Sequence, residues 1–302
     1  MYDIVILTES RYIKPKHPNW YIQQVLDEDQ LLLDALLKNN INAIRKDWND
    51  KNFDWNKTKY AIFRTTWDYF ENFKEFLCWI KKTKKKTIFI NSAEIIHWNI
   101  DKKYLIDLSK KGINISPTLF INKKTKTSLT SLFKKTKWKT AIIKPSISGA
   151  ARHTYKITAS NYLNYEKIFN QLIKKECMLF QQFLDNVITH GEISLIFIGK
   201  EYTHAVIKKA KDGDFRVQDD HGGTVEIYHP TKDEILFGKK CLKAIPFQPT
   251  YSRIDIIKDN NNNPSLVELE LIEPELWFRN YPEAAKKLAK EITKQINLEQ
   301  GN

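Results

Sequence analysis

Two stretches decide how this chain is read: Arg253-Ile254-Asp255 and, beyond a polar turn, Val267-Glu268-Leu269-Glu270-Leu271-Ile272-Glu273-Pro274. Both alternate apolar and charged residues, the periodicity of a strand. The asparagine-rich turn with Pro264 between them predicts a hairpin. Folded symmetrically about Asn261 and Asn262, the hairpin sets Asp255 opposite Glu268 and Arg253 opposite Glu270. Alternation gathers these charged side chains on one face and puts Ile254, Ile256, Val267, Leu269 and Leu271 on the other. Carboxylates that face each other across a sheet repel, and a cation between them relieves that cost. A solvated polar face is the competing reading. Three acids and an arginine beside a strongly apolar face favour an ion site. Carboxylates with neither His nor Cys nearby are hard oxygen donors, suited to Mg²⁺ rather than zinc. An arginine on the same face suits a phosphate or an oxyanion.

The bulk properties bound the rest. With 302 residues, 42% of them hydrophobic, the chain can build a core divided among two or three domains. No apolar run is long enough to span a membrane. The opening Met1-Tyr2-Asp3-Ile4-Val5-Ile6-Leu7 reads as a first strand and not as a signal peptide. Cys78, Cys177 and Cys241 are odd in number and far apart, which predicts free thiols and a cytoplasmic protein. The net charge of +13 raises nucleic-acid binding. The lysines are spread along the whole chain, however, and the densest run, residues 81–86, has no interleaved aromatic residue. A basic protein that handles anionic ligands such as nucleotides is the more economical expectation.

Patterning predicts three segments. Residues 1–92 alternate strands (3–7, 43–45, 60–63, 87–90) with helices (21–38, 70–81), which predicts a small parallel sheet flanked by helices. Residues 93–181 begin with a helix over 101–111 that Gly112 stops. Strands at 118–121, 140–144 and 155–158, a helix at 165–174 and a strand at 178–183 follow. Residues 182–302 carry a hairpin (192–198 and 202–208), the hairpin of the opening paragraph (247–258 and 265–272), and a last helix at 282–296. The fold class expected is therefore α/β followed by antiparallel α+β.

In this order the motifs resemble the ATP-grasp superfamily of carboxylate–amine ligases. The resemblance is greatest to the glutathione-synthetase-type ATP-binding proteins that include the cycloserine-biosynthesis cyclo-ligases, and it runs from about Arg64 to Trp277. It implies an ATP-grasp fold with an N-terminal, Rossmann-like parallel-sheet domain. It implies that Asp255, Glu268 and Glu270 hold two Mg²⁺ ions, for which Mn²⁺ can substitute, against the phosphates of ATP. The position of Glu270 is commonly Asn in the family, and glutamate keeps an oxygen donor there. Arg253 is the family arginine that stabilises the charged intermediate. Lys102, or Lys103 in the neighbouring register, matches the first ATP-binding lysine, and Lys144 the second. Lys144 also stands at the mouth of a small-residue loop, Pro145-Ser146-Ile147-Ser148-Gly149-Ala150-Ala151, where backbone N–H groups can approach phosphate oxygens.

The resemblance places Gln181, Gln182 and Phe183 at the adenine-reading hinge, through their backbone groups, Glu192 beside the ribose hydroxyls, Lys208 among the cofactor-binding residues, and Arg216, with Arg253 a catalytic residue, near the phosphates and the substrate carboxylate. His221-Gly222-Gly223 resembles a flexible glycine turn, and residues 146–152 with 211–223 a lid. Arg64, Thr66 and Asp68 follow a parallel strand at its carboxyl end, where α/β folds place ligands. With Glu273 they are the expected grip on a small amino-acid or peptide substrate. The implied reaction turns a carboxylate into an acyl phosphate that an amine then attacks. Charge and positioning do most of the work. A glutathione-type peptide ligase and a non-catalytic nucleotide- or nucleic-acid-binding protein are the alternatives. A homodimer is the oligomer the family implies.

Overall fold

From Ile4 to Leu7 the chain has no polar residue, so β1 (Tyr2–Thr8) is stable only when covered on both faces, as in a parallel sheet. In the computed structural model, which describes residues 1–217 and 222–300, β1 does lie inside such a sheet. Its neighbours are β2 (Ala43–Asp47), β3 (Thr58–Thr65) and β4 (Ile88–Ile90), in the order β2-β1-β3-β4 and all parallel. Helix α1 (Trp20–Lys38) starts at Asn19, whose side chain accepts from the Ile22 N–H at 2.8 Å. Helix α2 (Phe73–Thr83) packs Phe76 and Ile80 into a cluster with Phe63, Trp48 and Phe89.

Helices α3 (Ala93–Asn99) and α4 (Tyr104–Lys110) lead to a second sheet. Gly112, at φ +79°, ends the second of them in the left-handed conformation expected. Strands β5 (Thr118–Ile121), β6 (Thr140–Pro145), β7 (Tyr155–Thr158) and β8 (Met178–Gln182) pair antiparallel in the order β5-β8-β6-β7. They are backed by α5 (Leu129–Thr136) and α6 (Glu166–Lys175), which supply Leu132, Phe133, Phe169 and Ile173 to the core. After the short α7 (Asn186–Thr189) comes a third, antiparallel sheet in the order β11-β10-β9-β12-β13. Its strands are β9 (Glu192–Ile198), β10 (Glu201–Lys209), β11 (Thr224–Tyr228), β12 (Tyr251–Lys258) and β13 (Pro264–Glu270), with α8 (Lys232–Ala244) covering one face. Helix α9 (Pro282–Gln300) returns to α1. Leu288 and Ile292 join one buried cluster with Ile4 of the first sheet, Leu36 of α1 and Ile196 of the third sheet.

The structure departs from the sequence expectations at α3, α5, α8 and β11, which the patterning left as connections. It departs again within the decisive hairpin. Asp255 faces Glu268 and Arg253 faces Glu270 as expected, but the register shifts between Asp255 and Ile256, so Ile256 faces Leu266. The extra residue is Val267. This β-bulge takes Val267 off the face where Ile254, Ile256 and Leu269 pack. It puts Val267 with Ile257, Ile142 and Phe183 beside the cavity instead.

Candidate functional site

The third sheet presents charged residues from four neighbouring strands to one cavity. On β9, Glu192 and Ser194 alternate; β10 contributes Lys208, which pairs in register with Glu192, and β12 contributes Asp255, which pairs with Ser194. The Ser194 hydroxyl donates to Asp255 Oδ1 at 2.6 Å. Glu268 and Glu270 come from β13. From the opposite side arrive Lys102, just before α4, and Lys144, near the end of β6 in the second sheet. The cavity has a volume of about 550 Å³ and reaches across to the N-terminal sheet, where Glu9, Arg11, Trp67 and Asp68 line it.

In this structure every central carboxylate is held by a cation. Arg253 donates to both oxygens of Asp255, from Nε at 3.0 and 3.1 Å and from Nη2 at 2.9 Å, and also pairs with Glu270. Lys208 pairs with Glu192 and stands 3.4 Å from Asp255. Lys102 lies 3.1 Å from Glu268 and donates to the Ser148 carbonyl at 2.6 Å. Burial pushes the Asp255 carboxyl up, but Arg253 and Lys208 outweigh it and hold it below the usual range. Glu268 behaves alike, with Lys102 and Lys144 overcoming burial. For Glu270 burial wins over Arg253, and its pKa is pushed up to about 8. Glu273 is raised by burial to about 7. Burial depresses the Lys144 ammonium. Such shifts gather where buried charges are forced together.

A metal finds the right chemistry here, though not a finished cage. Asp255, Glu268 and Glu270 offer hard oxygens on one cavity wall, the donor type Mg²⁺ takes. Among the described residues no three acid, His or Cys side chains already stand together as ligands. Arg253 and Lys102 occupy the carboxylates a divalent ion would take.

Most residues expected at the site line the cavity: Lys102, Lys144, Ser148, Gly149, Gln181, Gln182, Phe183, Glu192, Lys208, Arg216, Arg253, Asp255, Glu268, Glu270, Glu273 and Asp68. Of the two lysines, Lys102 lines the cavity, whereas the Lys103 ammonium lies 3.9 Å from Cys177 Sγ and Lys103 is not among the lining residues. Arg64 and Thr66 require correction. Both are 0% exposed and neither lines the cavity, so neither can grip a ligand in it. The strand β3 is buried along nearly its whole length, and Arg64 points to Pro274 and Glu28. At the expected hinge the N–H of Gln182 is taken by the Pro117 carbonyl at 2.8 Å and that of Phe183 by the Thr140 carbonyl at 3.2 Å. His221 lies outside the described residues. Arg216, half-exposed, is paired with Asp214 at 2.7 Å.

The sequence reading missed Ser194, Glu9, Arg11, Glu275 and Trp277. Trp277 is 2% exposed and underlies two site cations. Its ring centroid is 5.1 Å from Arg253 Cζ and 5.6 Å from Lys208 Nζ. For Glu9 and Arg11 there was a signal: they follow β1 at its carboxyl end, the same rule that drew attention to Asp68.

Comparison with known proteins agrees with this arrangement. Residues 101–276 match the family described as the RimK-like ATP-grasp domain, and residues 4–91 match the D-cycloserine synthetase DcsG N-terminal domain. The chain is 23% identical over 279 residues to the cycloserine biosynthesis protein DcsG of Streptomyces lavendulae, covering 88% of this chain and 92% of that one. The crystal structure of D-cycloserine synthetase DcsG superposes with a TM-score of 0.86 at 21% identity, covering 97% and 99% of the two chains. The D-alanine–D-alanine ligase of Bacillus anthracis superposes at 0.66 with 13% identity, covering 98% and 97%. At such identities the structural likenesses establish the fold. No helix among the described residues is long and apolar enough to cross a membrane.

Proposed function

The chain belongs to the RimK-like ATP-grasp family of C–N-bond-forming ligases, and from that premise we propose an ADP-forming carboxylate–amine ligase or cyclo-ligase acting on a small amino-acid or peptide carboxylate. One observation carries the reading: Asp255, Glu268 and Glu270 meet Lys102, Lys144 and Arg253 around a single cavity. The match of residues 4–91 to the DcsG N-terminal domain supports cyclisation over glutathione-type peptide ligation.

In this proposal Asp255, Glu268 and Glu270 would hold Mg²⁺, as two ions that Mn²⁺ can replace. The bound metal would supply charge neutralisation and polarisation of phosphoryl oxygens. Lys102 and Lys144 face the phosphates from the other wall, with Lys208 and Arg216 flanking them. The backbone around Ser148 and Gly149 would offer N–H groups to them. Gln181, Gln182 and Phe183 receive the base, and Glu192 the ribose. Asp68 and Glu273 face the substrate. A carboxylate is a poor acyl donor until its oxygen is phosphorylated, so holding the γ-phosphoryl group against it is the protein's main task. Arg253 would stabilise the oxyanion formed by amine attack through Nη1, which makes only a 3.5 Å contact with the Glu275 carbonyl while Nε and Nη2 hold Asp255 and Glu270, an effect worth about 3 kcal/mol for a well-placed donor. A cytoplasmic location, argued from free cysteines, and a homodimer, carried over from the family, belong to the same proposal.

Phosphate release with Mg²⁺ and ATP, assayed across a panel of amino acids, dipeptides and candidate cyclisation substrates, tests the reading. Release that depends on a carboxylate and an amine, in one molecule or two, supports it. Nucleotide binding without turnover on any of them would favour the binding-protein alternative.

A further inference from the structure

Past Glu270 the chain leaves the third sheet, yet Glu273, Glu275 and Trp277 still line the cavity. The strap of residues 271–279 is held by side chains rather than by a neighbouring strand. Four consecutive carbonyls each accept from one: Leu271 from Asn91 at 2.8 Å, Ile272 from Tyr251 at 2.7 Å, Glu273 from Trp67 at 2.9 Å and Pro274 from Arg64 at 3.0 Å. Further along, the Glu28 carboxylate accepts from the N–H of Leu276 at 3.2 Å and of Arg279 at 3.3 Å. Asn91, Trp67, Arg64 and Glu28 all belong to the N-terminal segment.

Arg64 and Glu28 are the unusual members. They are 0% and 2% exposed, lie 3.5 Å apart, and neither lines the cavity. Burying such a pair costs desolvation that its attraction does not reliably return, so it is weak as a pure stabiliser. What it supplies is direction. The guanidinium fixes one carbonyl of the strap, and the carboxylate fixes two N–H groups beyond it. Between these anchors stands Trp277, the platform under Arg253 and Lys208.

We propose that Arg64 and Glu28 are positioning residues for the ligase reaction. Acting from the N-terminal sheet, they set the strap so that Trp277 supports Arg253 and Lys208 while Glu273 stays at the cavity wall. The proposal rests on the ligase reading above. It makes the N-terminal domain part of the phosphate-handling machinery and not only a substrate cradle. It also gives a role to the arginine that the sequence had assigned to the substrate.

The test uses E28Q and the apolar pair E28L/R64M, the latter because replacing both partners of a buried ion pair by hydrophobic groups often leaves a fold intact, and Asp29, 4.0 Å from Arg64, keeps its pair with Arg45 at 2.8 Å. Turnover per folded molecule is measured with hydrogen exchange across residues 271–279. The positioning role predicts that kcat falls on the order of tenfold to a hundredfold, that KM for ATP stays within about twofold, and that strap amides exchange faster while core strands do not. Folded variants that keep the wild-type kcat would overturn the proposal even if their melting temperatures drop. A wild-type chain with no turnover on any substrate would instead overturn the ligase reading on which the proposal stands.

Discussion

Arg253 faces Glu270 across the β12–β13 pair, and the same guanidinium also holds Asp255, two residues away on its own strand. One arginine thus contacts two of the three acids proposed to take metal. Asp255→Asn removes the charge that Arg253, Lys208 and Ser194 converge on. The expected outcome is a loss of turnover of at least about a hundredfold, with a stability loss of about 3 kcal/mol from the broken buried network. Steady-state kinetics and a denaturation curve check the two halves separately.

Lys102 and Lys103 provide an internal control. Only Lys102 lines the cavity, within 3.1 Å of Glu268. Lys102→Met should raise KM for ATP on the order of tenfold or more, whereas Lys103→Met should leave it within about twofold. Equal effects would contradict the register.

Gly149 sits against the N-terminal segment. A Cβ built there would lie 2.7 Å from Phe70 Cε1 and 3.0 Å from Cδ1. Gly149→Ala should therefore cost about 1 kcal/mol through overpacking and slow turnover by shifting the loop beside Lys144. Phe70→Leu in the same chain should restore much of both. A double-mutant cycle on melting temperature and kcat reads the coupling.

His204 makes stability depend on pH. Its ring is 6% exposed, donates from Nε2 to the Leu276 carbonyl at 2.9 Å and stacks on Tyr281. Burial lowers its pKa to about 4, more than the contact with Leu276 raises it. An unfolded histidine binds its proton near pH 6.5, so between pH 6.5 and 4 the unfolded chain holds more protons than the folded one. This group's contribution is therefore full above pH 6.5 and falls by about 3 kcal/mol as pH drops to 4. Urea unfolding at a series of pH values should show that slope, and His204→Gln should flatten it.

How far the sequence led differs from element to element for physical reasons. The pairing of Asp255 with Glu268 was legible because alternation and a turn fix register locally. The bulge at Val267 was not, since it is set by packing against Ile142 and Phe183 from another sheet. Helix α8 could have been found: Thr231 and Glu234 form a capping box visible in the sequence as T-K-D-E. Helix α5 begins with a weaker box, between Ser128 and Ser131. Arg64 misled because β3 is buried on both faces, so period-two patterning cannot say which way a side chain points. Ser194 and Trp277 take their places from contacts with residues distant in sequence, which no local pattern encodes.

Whether the β12–β13 acids grip magnesium nucleotide decides what this site does. The direct measurement is the affinity of a non-hydrolysable ATP analogue, titrated with and without Mg²⁺, for the wild-type chain and for Asp255→Asn. Mg²⁺ is predicted to tighten binding to the wild type by on the order of tenfold or more and to leave the variant's affinity almost unchanged. An equal Mg²⁺ effect on both proteins would contradict it.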